Sequence, residues 1–303
     1  MSNLIQSPLR YPGSKSSITD YVEAFVNLNG LYSGLICEPF AGSGIVSFEL
    51  LARRVVKNAI LIEIDPLVYS FLAAVLDSPD DLCGRIEKID VSLRTWYCLQ
   101  KFRKAKNLKD YSVLDLATAC VFFNRTNFSG IIGAGPIGGT AQNSDYSIDC
   151  RFNRSRIIEQ VYRMSHFASQ IEVYLSDGLQ ELTKAYRRDI CDSGFYYVDP
   201  PYFDAGDKLY RYFLSEQQHS ELAHTLISMN TPWLVSYDDK SHIRQLYGGS
   251  NMKEVLLDYR VKSPKRGREL LISNKPIPSL LEPRKGHSIL IAECSNSSLV
   301  PIE

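Results

Sequence analysis

The tetrapeptide Asp199-Pro200-Pro201-Tyr202 holds the residues most able to carry chemistry, and it directly follows the apolar, aromatic run Phe195 to Val198. That run is bounded by a glycine and by the prolines, which predicts an interior strand. A carboxylate (Asp199) and a carbonyl (Pro200) can each accept one N–H from the amino group of an aromatic base, which draws the delocalised lone pair back onto nitrogen. The prolines fix the backbone and donate no N–H, and the ring of Tyr202 offers a face for stacking. Taken alone, the tetrapeptide has a simpler alternative, which is a rigid exit from a strand into a loop.

A glycine turn is the second segment whose residues could bind a ligand. Glu38 to Gly44 reads Glu-Pro-Phe-Ala-Gly-Ser-Gly, between the apolar run Leu35 to Cys37 and a helical pattern from Ile45 to Arg54. A strand, a glycine turn and a helix in this order let the backbone approach a ligand closely, with helix N-terminal N–H groups facing it. The turn resembles the Phe-x-Gly-x-Gly loop that binds S-adenosylmethionine, which assigns Phe40, Gly42 and Gly44 to cofactor binding. Glycine turns after strands also serve other nucleotides or none.

An acid after the next predicted strand strengthens this assignment. Ile60 to Ile62 form a short apolar run that ends at Glu63, with Asp65 two residues later. A carboxylate at the tip of the second strand, roughly 20 residues past the glycine turn, is where a ribose diol is held. We favour Glu63 for the ribose and Asp65 as its neighbour, although either acid could serve, and a solvated loop acid is the simpler alternative.

Together these segments resemble the Dam-like, alpha-group DNA adenine-N6 methyltransferases, and the resemblance runs through most of the chain. Further segments match the family in its own order: Arg10 to Lys15, Phe122 to Gly130, Cys150 to Asn153, Phe213 to His219, Val235 to Asp238 and Arg268 to Asn274. Several matches in order are far more specific than any one of them. The resemblance implies a Rossmann-like, S-adenosylmethionine-dependent methyltransferase sheet with a helical DNA-recognition insertion.

Several residue roles rest on this resemblance. It implies that Tyr11 and Lys15 contact the cofactor, with Tyr11 standing where related members carry Trp. An acid at Asp177 would accept a hydrogen bond from the cofactor adenine, and Asp199 would also border the cofactor. An Asp before Gly178 and a helical pattern would equally serve as a helix N-cap.

The DNA contacts implied by the resemblance are Asn124, Arg125, Arg151 and Asn153, in the segments that flank the family's DNA-contacting region. Equal numbers of acidic and basic residues (34 each) mean that binding to phosphates must rely on clustered charge. Three basic stretches provide it, although any charge run can be a solvated face: Lys101 to Lys109, Arg151 to Arg163 and Lys262 to Arg268. The last two border family-like segments, and Lys265 and Arg266 are the candidates in the third.

The hydrophobic pattern predicts an α/β protein with a doubly wound parallel sheet. Strand and helix patterns alternate over residues 1–77, which we interpret as the cofactor-binding half of the catalytic domain, and again over residues 165–303, its catalytic half. Helical patterns between them, at residues 78–164, predict the target-recognition insertion. Within the insertion, residues 130–139 contain five glycines and suit a mobile loop that orders against DNA. A later pair of strand patterns, Val255 to Val261 and Leu270 to Ser273, predicts an edge hairpin with a basic turn.

Composition argues against other classes of protein. No apolar run is long enough to span a bilayer and no charged-then-apolar leader is present, so we expect a cytoplasmic protein of bacterial or phage origin. Seven cysteines without Cys-x-x-Cys spacing fit reduced thiols, and five scattered histidines argue against a metal site.

The resulting hypothesis is a site-specific enzyme that transfers a methyl group from S-adenosylmethionine to N6 of a flipped-out adenine in double-stranded DNA. A cognate restriction endonuclease acting on the same site is a candidate partner. Two alternatives stay open: methylation of RNA adenine or of a protein glutamine amide, and a non-catalytic DNA-binding module that has kept the fold.

Overall fold

The structure is a computed structural model of the 303-residue chain, and it describes residues 5–10, 18–32, 34–104, 111–186, 194–203, 211–260, 264–278 and 291–292. For residues 185–186, 256–260, 264–267 and 291–292 it describes the backbone alone. The helices are α1 (Thr19–Leu28), α2 (Ile45–Ala52), α3 (Pro66–Asp77), α4 (Pro79–Lys88), α5 (Leu93–Leu99), α6 (Val113–Thr126), α7 (Arg154–Ser165), α8 (Gly178–Tyr186), α9 (Glu216–Ile227) and α10 (Ser241–Leu246). The strands are β1 (Leu35–Glu38), β2 (Asn58–Glu63), β3 (Ile171–Leu175), β4 (Phe195–Val198), β5 (Trp233–Asp238), β6 (Asn251–Arg260), β7 (Pro264–Ser273) and β8 (Ile291–Ala292). Single 3₁₀ turns lie at Gln100–Lys104, Phe128–Gly130 and Ala168–Gln170.

All of these strands belong to one eight-stranded sheet in the order β3-β2-β1-β4-β5-β7-β6-β8. Neighbours from β3 through β5 are parallel, whereas β7 runs antiparallel to both β5 and β6. The chain builds outward from β1 to β2 and β3, then returns to add β4 and β5 on the other side of β1. Because the strand order reverses between β1 and β4, a crevice for a ligand is expected at the carboxyl ends of these two strands.

Successive residues of each central strand lie in different hydrophobic clusters, one on each face of the sheet. Ile36 and Tyr197 lie in the cluster that contains α1, α2 and α3 residues, whereas Cys37 and Tyr196 lie in the cluster formed with α8, α9 and α10. Side chains of a strand alternate between faces, so a sheet buried on both sides has apolar residues at every position. The predicted doubly wound α/β sheet is confirmed.

The helices between α3 and β3 pack onto the first of these clusters. The longest of them, α6, lies against α3, and α4 lies against α7. Leu116, Phe122 and Val161 from this segment are fully buried in the same cluster as the sheet residue Ile36. The predicted insertion is therefore helical and shares its core with the sheet, while its predicted boundaries stay a prediction.

One further expectation comes out differently. The late hairpin exists, but β7 lies inside the sheet between β5 and β6 and not at its edge. Leu270, Leu271 and Ile272 of β7 are all buried, so both faces of this strand are covered. Residues 261–263 lie outside the described residues.

The glycine-rich loop is hydrogen-bonded to the end of α6 and the turn after it. Phe128 N–H donates to the Gly135 carbonyl at 2.9 Å, and Ile137 N–H donates to the Thr126 carbonyl at 2.8 Å. The mobility of this loop and its ordering against DNA stay predictions.

Candidate active site

Asp199 lies immediately after β4, at the carboxyl edge next to the reversal of strand order. The Ser236 hydroxyl on β5 donates to Asp199 Oδ1 at 2.9 Å, and the Tyr197 hydroxyl lies 3.0 Å from Ser236 Oγ. Ser236 and Tyr197 are buried, whereas Asp199 is half-buried. A buried hydroxyl pair thus fixes the orientation of a carboxylate that faces the crevice.

Tyr202, at the other end of the tetrapeptide, is anchored by its hydroxyl. It donates to Glu269 Oε1 at 2.7 Å, and Glu269 is 1% exposed on β7, opposite Asp238 of β5. Next along the chain, the Phe203 ring lies 4.8 Å from the ring of His242 and 5.2 Å from that of His219. The Tyr202 hydroxyl is therefore held by Glu269, and stacking on the Tyr202 ring stays a prediction.

The glycine turn after β1 is held against β2. Ala41 N–H donates to the Ile62 carbonyl at 3.0 Å, and Gly42 N–H donates to Glu63 Oε2 at 2.9 Å. Gly44 has a left-handed φ of 64°, and a Cβ there would lie 2.8 Å from Leu61 Cδ1. Glycine at position 44 thus has a structural cause, since this conformation and this spacing both exclude a side chain. Phe40 in the same turn is half-buried and packs against the second cluster.

Glu63 and Asp65 are both buried, but their hydrogen bonds differ. Glu63 accepts Gly42 N–H on Oε2 at 2.9 Å and Asp65 N–H on Oε1 at 2.8 Å, and the backbone N–H of Ile64 is a further donor to this carboxyl. Asp65 Oδ1 caps α3 by accepting Leu67 N–H at 2.9 Å and is ion-paired with Arg211 Nη1 at 2.5 Å. Glu63 is thus the acid better placed to accept hydroxyls from a ligand.

Burial raises the pKa of Glu63 to about 8, and the neighbouring Asp65 charge adds to this rise, against the opposing N–H donors. Burial also raises the pKa of Asp65, although the Arg211 guanidinium opposes the rise. Sequence reasoning missed Arg211, because it lies far along the chain from Asp65 and only the fold brings the two together.

Glu38 is a further acid that sequence reasoning did not single out. It lies at the end of β1 and accepts the backbone N–H of Ser47 at 2.8 Å and also the Ser47 hydroxyl. Burial raises its pKa to about 7, with the negative charge of Asp199 contributing. Its place as the first residue of the glycine turn could have indicated from the sequence that Glu38 lies near the site. Glu38 therefore joins the end of β1, which is paired with β4, to the first turn of α2.

Asp177 lies at the start of α8 and acts there as a cap. Its Oδ1 accepts Leu179 N–H at 2.9 Å and Gln180 N–H at 3.3 Å. The adjoining Gly178 approaches the glycine turn so closely that a Cβ would lie 1.8 Å from the Pro39 carbonyl oxygen. The capping alternative for Asp177 is thus observed, and its contact with a cofactor adenine stays a prediction.

The two asparagines predicted to contact DNA are used inside the protein. Asn124 is buried; its Oδ1 accepts Arg10 N–H at 2.6 Å and its Nδ2 donates to the carbonyls of Arg10 and Gly130 at 2.8 and 2.9 Å. Asn153 Oδ1 caps α7 by accepting Arg156 N–H at 3.0 Å. A DNA contact by the Asn124 amide would need these bonds to open, so we assign it a structural role.

Asn124 holds the backbone of Arg10, and Arg125 directly follows Asn124 in the chain. Arg10 therefore lies close to Arg125. Burial and the nearby charges of Arg10 and Arg156 lower the pKa of Arg125 to about 10. Its buried Nε has no hydrogen-bond partner within the described part of the chain. Partial desolvation and the charge of Arg151 lower the pKa of Arg10 as well. We call Arg10, Arg125, Arg151 and Arg156 the arginine cluster. They concentrate positive charge that a bound anion would stabilise.

The remaining candidates cannot be placed in the site. Tyr11 and Lys15 lie outside the described residues, and Lys265 and Arg266 are described only as backbone of β7. Within the described ranges, no group of three or more His, Cys, Asp or Glu side chains could hold a metal ion. None of the described helices is long and apolar enough to cross a membrane.

Comparison with known proteins adds a family match. A family model described as D12 class N6 adenine-specific DNA methyltransferase matches residues 11–261. No curated protein matches significantly.

Solved structures give distant matches. The rRNA methyltransferase aviRa from Streptomyces viridochromogenes is 16% identical with a TM-score of 0.39, over 90% of this chain and 89% of that chain. The yhhF protein from Escherichia coli is 11% identical with a TM-score of 0.36, over 89% of this chain and 90% of that chain. These likenesses are too distant to bear on the substrate.

Proposed function

Because the chain belongs to the D12 class N6 adenine-specific DNA methyltransferase family, we propose that it transfers a methyl group to N6 of adenine in DNA. The chain is a methyltransferase, and its methyl donor is S-adenosylmethionine. The observation that carries the proposal is the placement of Asp199 and Tyr202. Asp199 is held by buried Ser236 of β5 and Tyr202 by buried Glu269 of β7, close to the glycine turn and Glu63 at the carboxyl ends of β1 and β2.

The residues on this edge fit the donor. The Glu63 carboxylate, which is oriented by backbone N–H donors, would accept the ribose hydroxyls, and the glycine turn lets the backbone approach closely. The donor supplies an electrophilic methyl group on a sulfonium sulfur. Phe40, Gly42 and Gly44 would line its site, together with Tyr11 and Lys15 by family resemblance, and Asp65 and Asp177 would shape its walls through their capping bonds.

At the other side of the crevice, the tetrapeptide would hold the amine. Asp199 and the Pro200 carbonyl would each accept one N–H of the adenine amino group, and Tyr202 would stack on the ring. Nitrogen would then move toward a tetrahedral geometry, and its lone pair would form the bond to the methyl carbon. The bond between that carbon and the sulfonium sulfur would break, its electron pair would stay on sulfur as a neutral thioether, and the surplus proton of the amine would leave to solvent. The contributions of the protein are positioning and stabilisation of the positive charge that develops on the amine.

DNA as the substrate is supported by the arginine cluster of Arg10, Arg125, Arg151 and Arg156. A chain with no net charge needs such a local concentration to neutralise phosphates. The target amine is inaccessible inside a duplex, so the adenine would be extruded into the crevice at a cost of a few kcal/mol.

The test is transfer of labelled methyl to unmethylated duplex DNA, RNA and protein supplied separately, with Asp199→Ala in parallel. We expect label in DNA for the wild type, and loss of transfer with retained cofactor binding for the variant. Label in RNA or protein alone would refute the DNA substrate. Equal loss of cofactor binding and transfer in Asp199→Ala would instead make the tetrapeptide a cofactor or folding element.

A further inference from the structure

The carboxylate of Asp199 is reached by a chain of two buried hydroxyls that lies behind it. The Ser236 hydroxyl has a single proton, which it donates to Asp199 Oδ1 at 2.9 Å. The bond between Ser236 Oγ and the Tyr197 hydroxyl, at 3.0 Å, must therefore run from Tyr197 to Ser236. The resulting chain is Tyr197 O–H to Ser236 O–H to Asp199, with the first two residues 1% and 0% exposed.

The fold holds this chain rigidly. Tyr197 and Ser236 lie on the parallel neighbours β4 and β5, and the register that pairs Tyr197 with Leu234 and Val198 with Val235 places Ser236 one step further, opposite Asp199. On its other side, β5 is paired with β7, where Ser236 lies opposite Leu271. With interior strands on both sides, Ser236 has no room to follow a displaced carboxylate.

We propose that Ser236, supported by Tyr197, is a positioning residue that fixes the Asp199 carboxylate so that its second oxygen faces the reacting amine. This inference rests on the proposed function. A carboxylate attached through one rotatable side chain otherwise samples orientations in which neither oxygen is aligned with the N–H, and the lost alignment lowers the turnover rate. Polarisation along the hydroxyl chain strengthens the bond to Asp199.

The alternative is a purely structural role, in which the two hydroxyls merely satisfy one another in the core. The chain offers matched controls for both residues. Ser273 on β7 is equally buried, and its hydroxyl donates to the backbone carbonyl of Trp233, away from Asp199, at 2.5 Å. Tyr21 on α1 is equally buried, with its hydroxyl unpartnered among the described residues.

The test compares Ser236→Ala with Ser273→Ala, and Tyr197→Phe with Tyr21→Phe, by steady-state methylation of duplex DNA and by thermal unfolding. Removing a hydrogen bond to a charged group predicts a fall in kcat of about ten- to hundredfold for Ser236→Ala, with both KM values unchanged. Tyr197→Phe should lower kcat by a few-fold. Neither control should change kcat, although Ser236→Ala, Tyr197→Phe and Ser273→Ala each remove a hydrogen bond and should lose some stability.

The double variant Ser236→Ala with Tyr197→Phe separates positioning from packing. Because Tyr197 acts on Asp199 through Ser236, the double variant should be no slower than Ser236→Ala alone. Independent, multiplying effects on kcat, or an equal loss in Ser236→Ala and Ser273→Ala, would overturn the inference. Wild-type transfer to DNA adenine in the same assay tests the proposed function separately, since the inference depends only on the ratio of variant to wild type.

Discussion

Binding of S-adenosylmethionine should strengthen as pH rises, because Glu63 is protonated at neutral pH in the free protein. Burial raises the Glu63 pKa to about 8, and hydroxyl donors on the ribose favour the ionised form. Binding therefore expels a proton below that pH. The change to test is pH itself between 6 and 9, with Glu63→Gln as the comparison.

The magnitude follows from the ionised fraction. With a pKa of about 8, roughly one molecule in ten is ionised at pH 7 and about one in a hundred at pH 6. If only the ionised form binds well, Kd should fall by up to about tenfold per pH unit from 6 to 8 and level off above. Near pH 7, close to one proton should leave per cofactor bound.

Calorimetric titration in two buffers of different ionisation enthalpy measures both quantities. Glu63→Gln should bind more weakly, because its NH₂ would face the N–H of Gly42 or Asp65. More tellingly, the variant should lose the steep pH slope and keep only the slope that belongs to the ligand's own amine. The same slope in wild type and variant, or a flat wild-type profile, would refute the ribose role of Glu63.

Three further predictions concern packing, DNA affinity and stability. Gly178→Ala should weaken cofactor binding and cost about 1–3 kcal/mol of unfolding free energy, because its Cβ would meet the Pro39 carbonyl at 1.8 Å. The control Gly84→Ala, within α4 and with nothing within 4 Å of its Cβ, should raise the melting temperature slightly, since Ala favours a helix over Gly. Arg125→Gln should weaken DNA binding and lower the slope of log K against log salt by about one unit, while Arg163→Gln, ion-paired with Glu159, should leave the slope unchanged. Burial lowers the pKa of His219 to about 4, so His219 takes up a proton on unfolding between pH 4 and 6.5. In urea titrations over this range, the free energy of unfolding should therefore rise more steeply with pH for the wild type than for His219→Gln. Equal slopes would contradict the assignment.

Local pattern was sufficient to predict β1 to β5, the glycine turn and the acid at the end of β2, whereas β8 was not predicted. These features depend on residues close in sequence: the apolar runs of β1, β2 and β4 carry their own boundaries, and Glu63 follows its strand directly. The interior place of β7 did not follow from local pattern, because its hydrogen bonds to β5 and β6 are set by packing over the whole sheet.

That unpredicted position decides part of the site. Glu269 reaches Tyr202 only because β7 inserts beside β5, and Arg211 contacts Asp65 although the two are 146 residues apart in the chain. Asn124 shows what family resemblance omits: its DNA contact stays a prediction, and only the fold shows that its amide holds the backbone of Arg10. Polar side chains gain their partners from tertiary structure, so spacing alone cannot assign them.

The most direct test of the central claim is to identify the methylated atom. Unmethylated duplex DNA is incubated with the protein and methyl-labelled S-adenosylmethionine, digested to nucleosides, and separated by chromatography with mass detection. The account predicts label in N6-methyldeoxyadenosine, absent when Asp199→Ala replaces the wild type. Label on cytosine, or no label in DNA while RNA or protein accepts the methyl group, would contradict it.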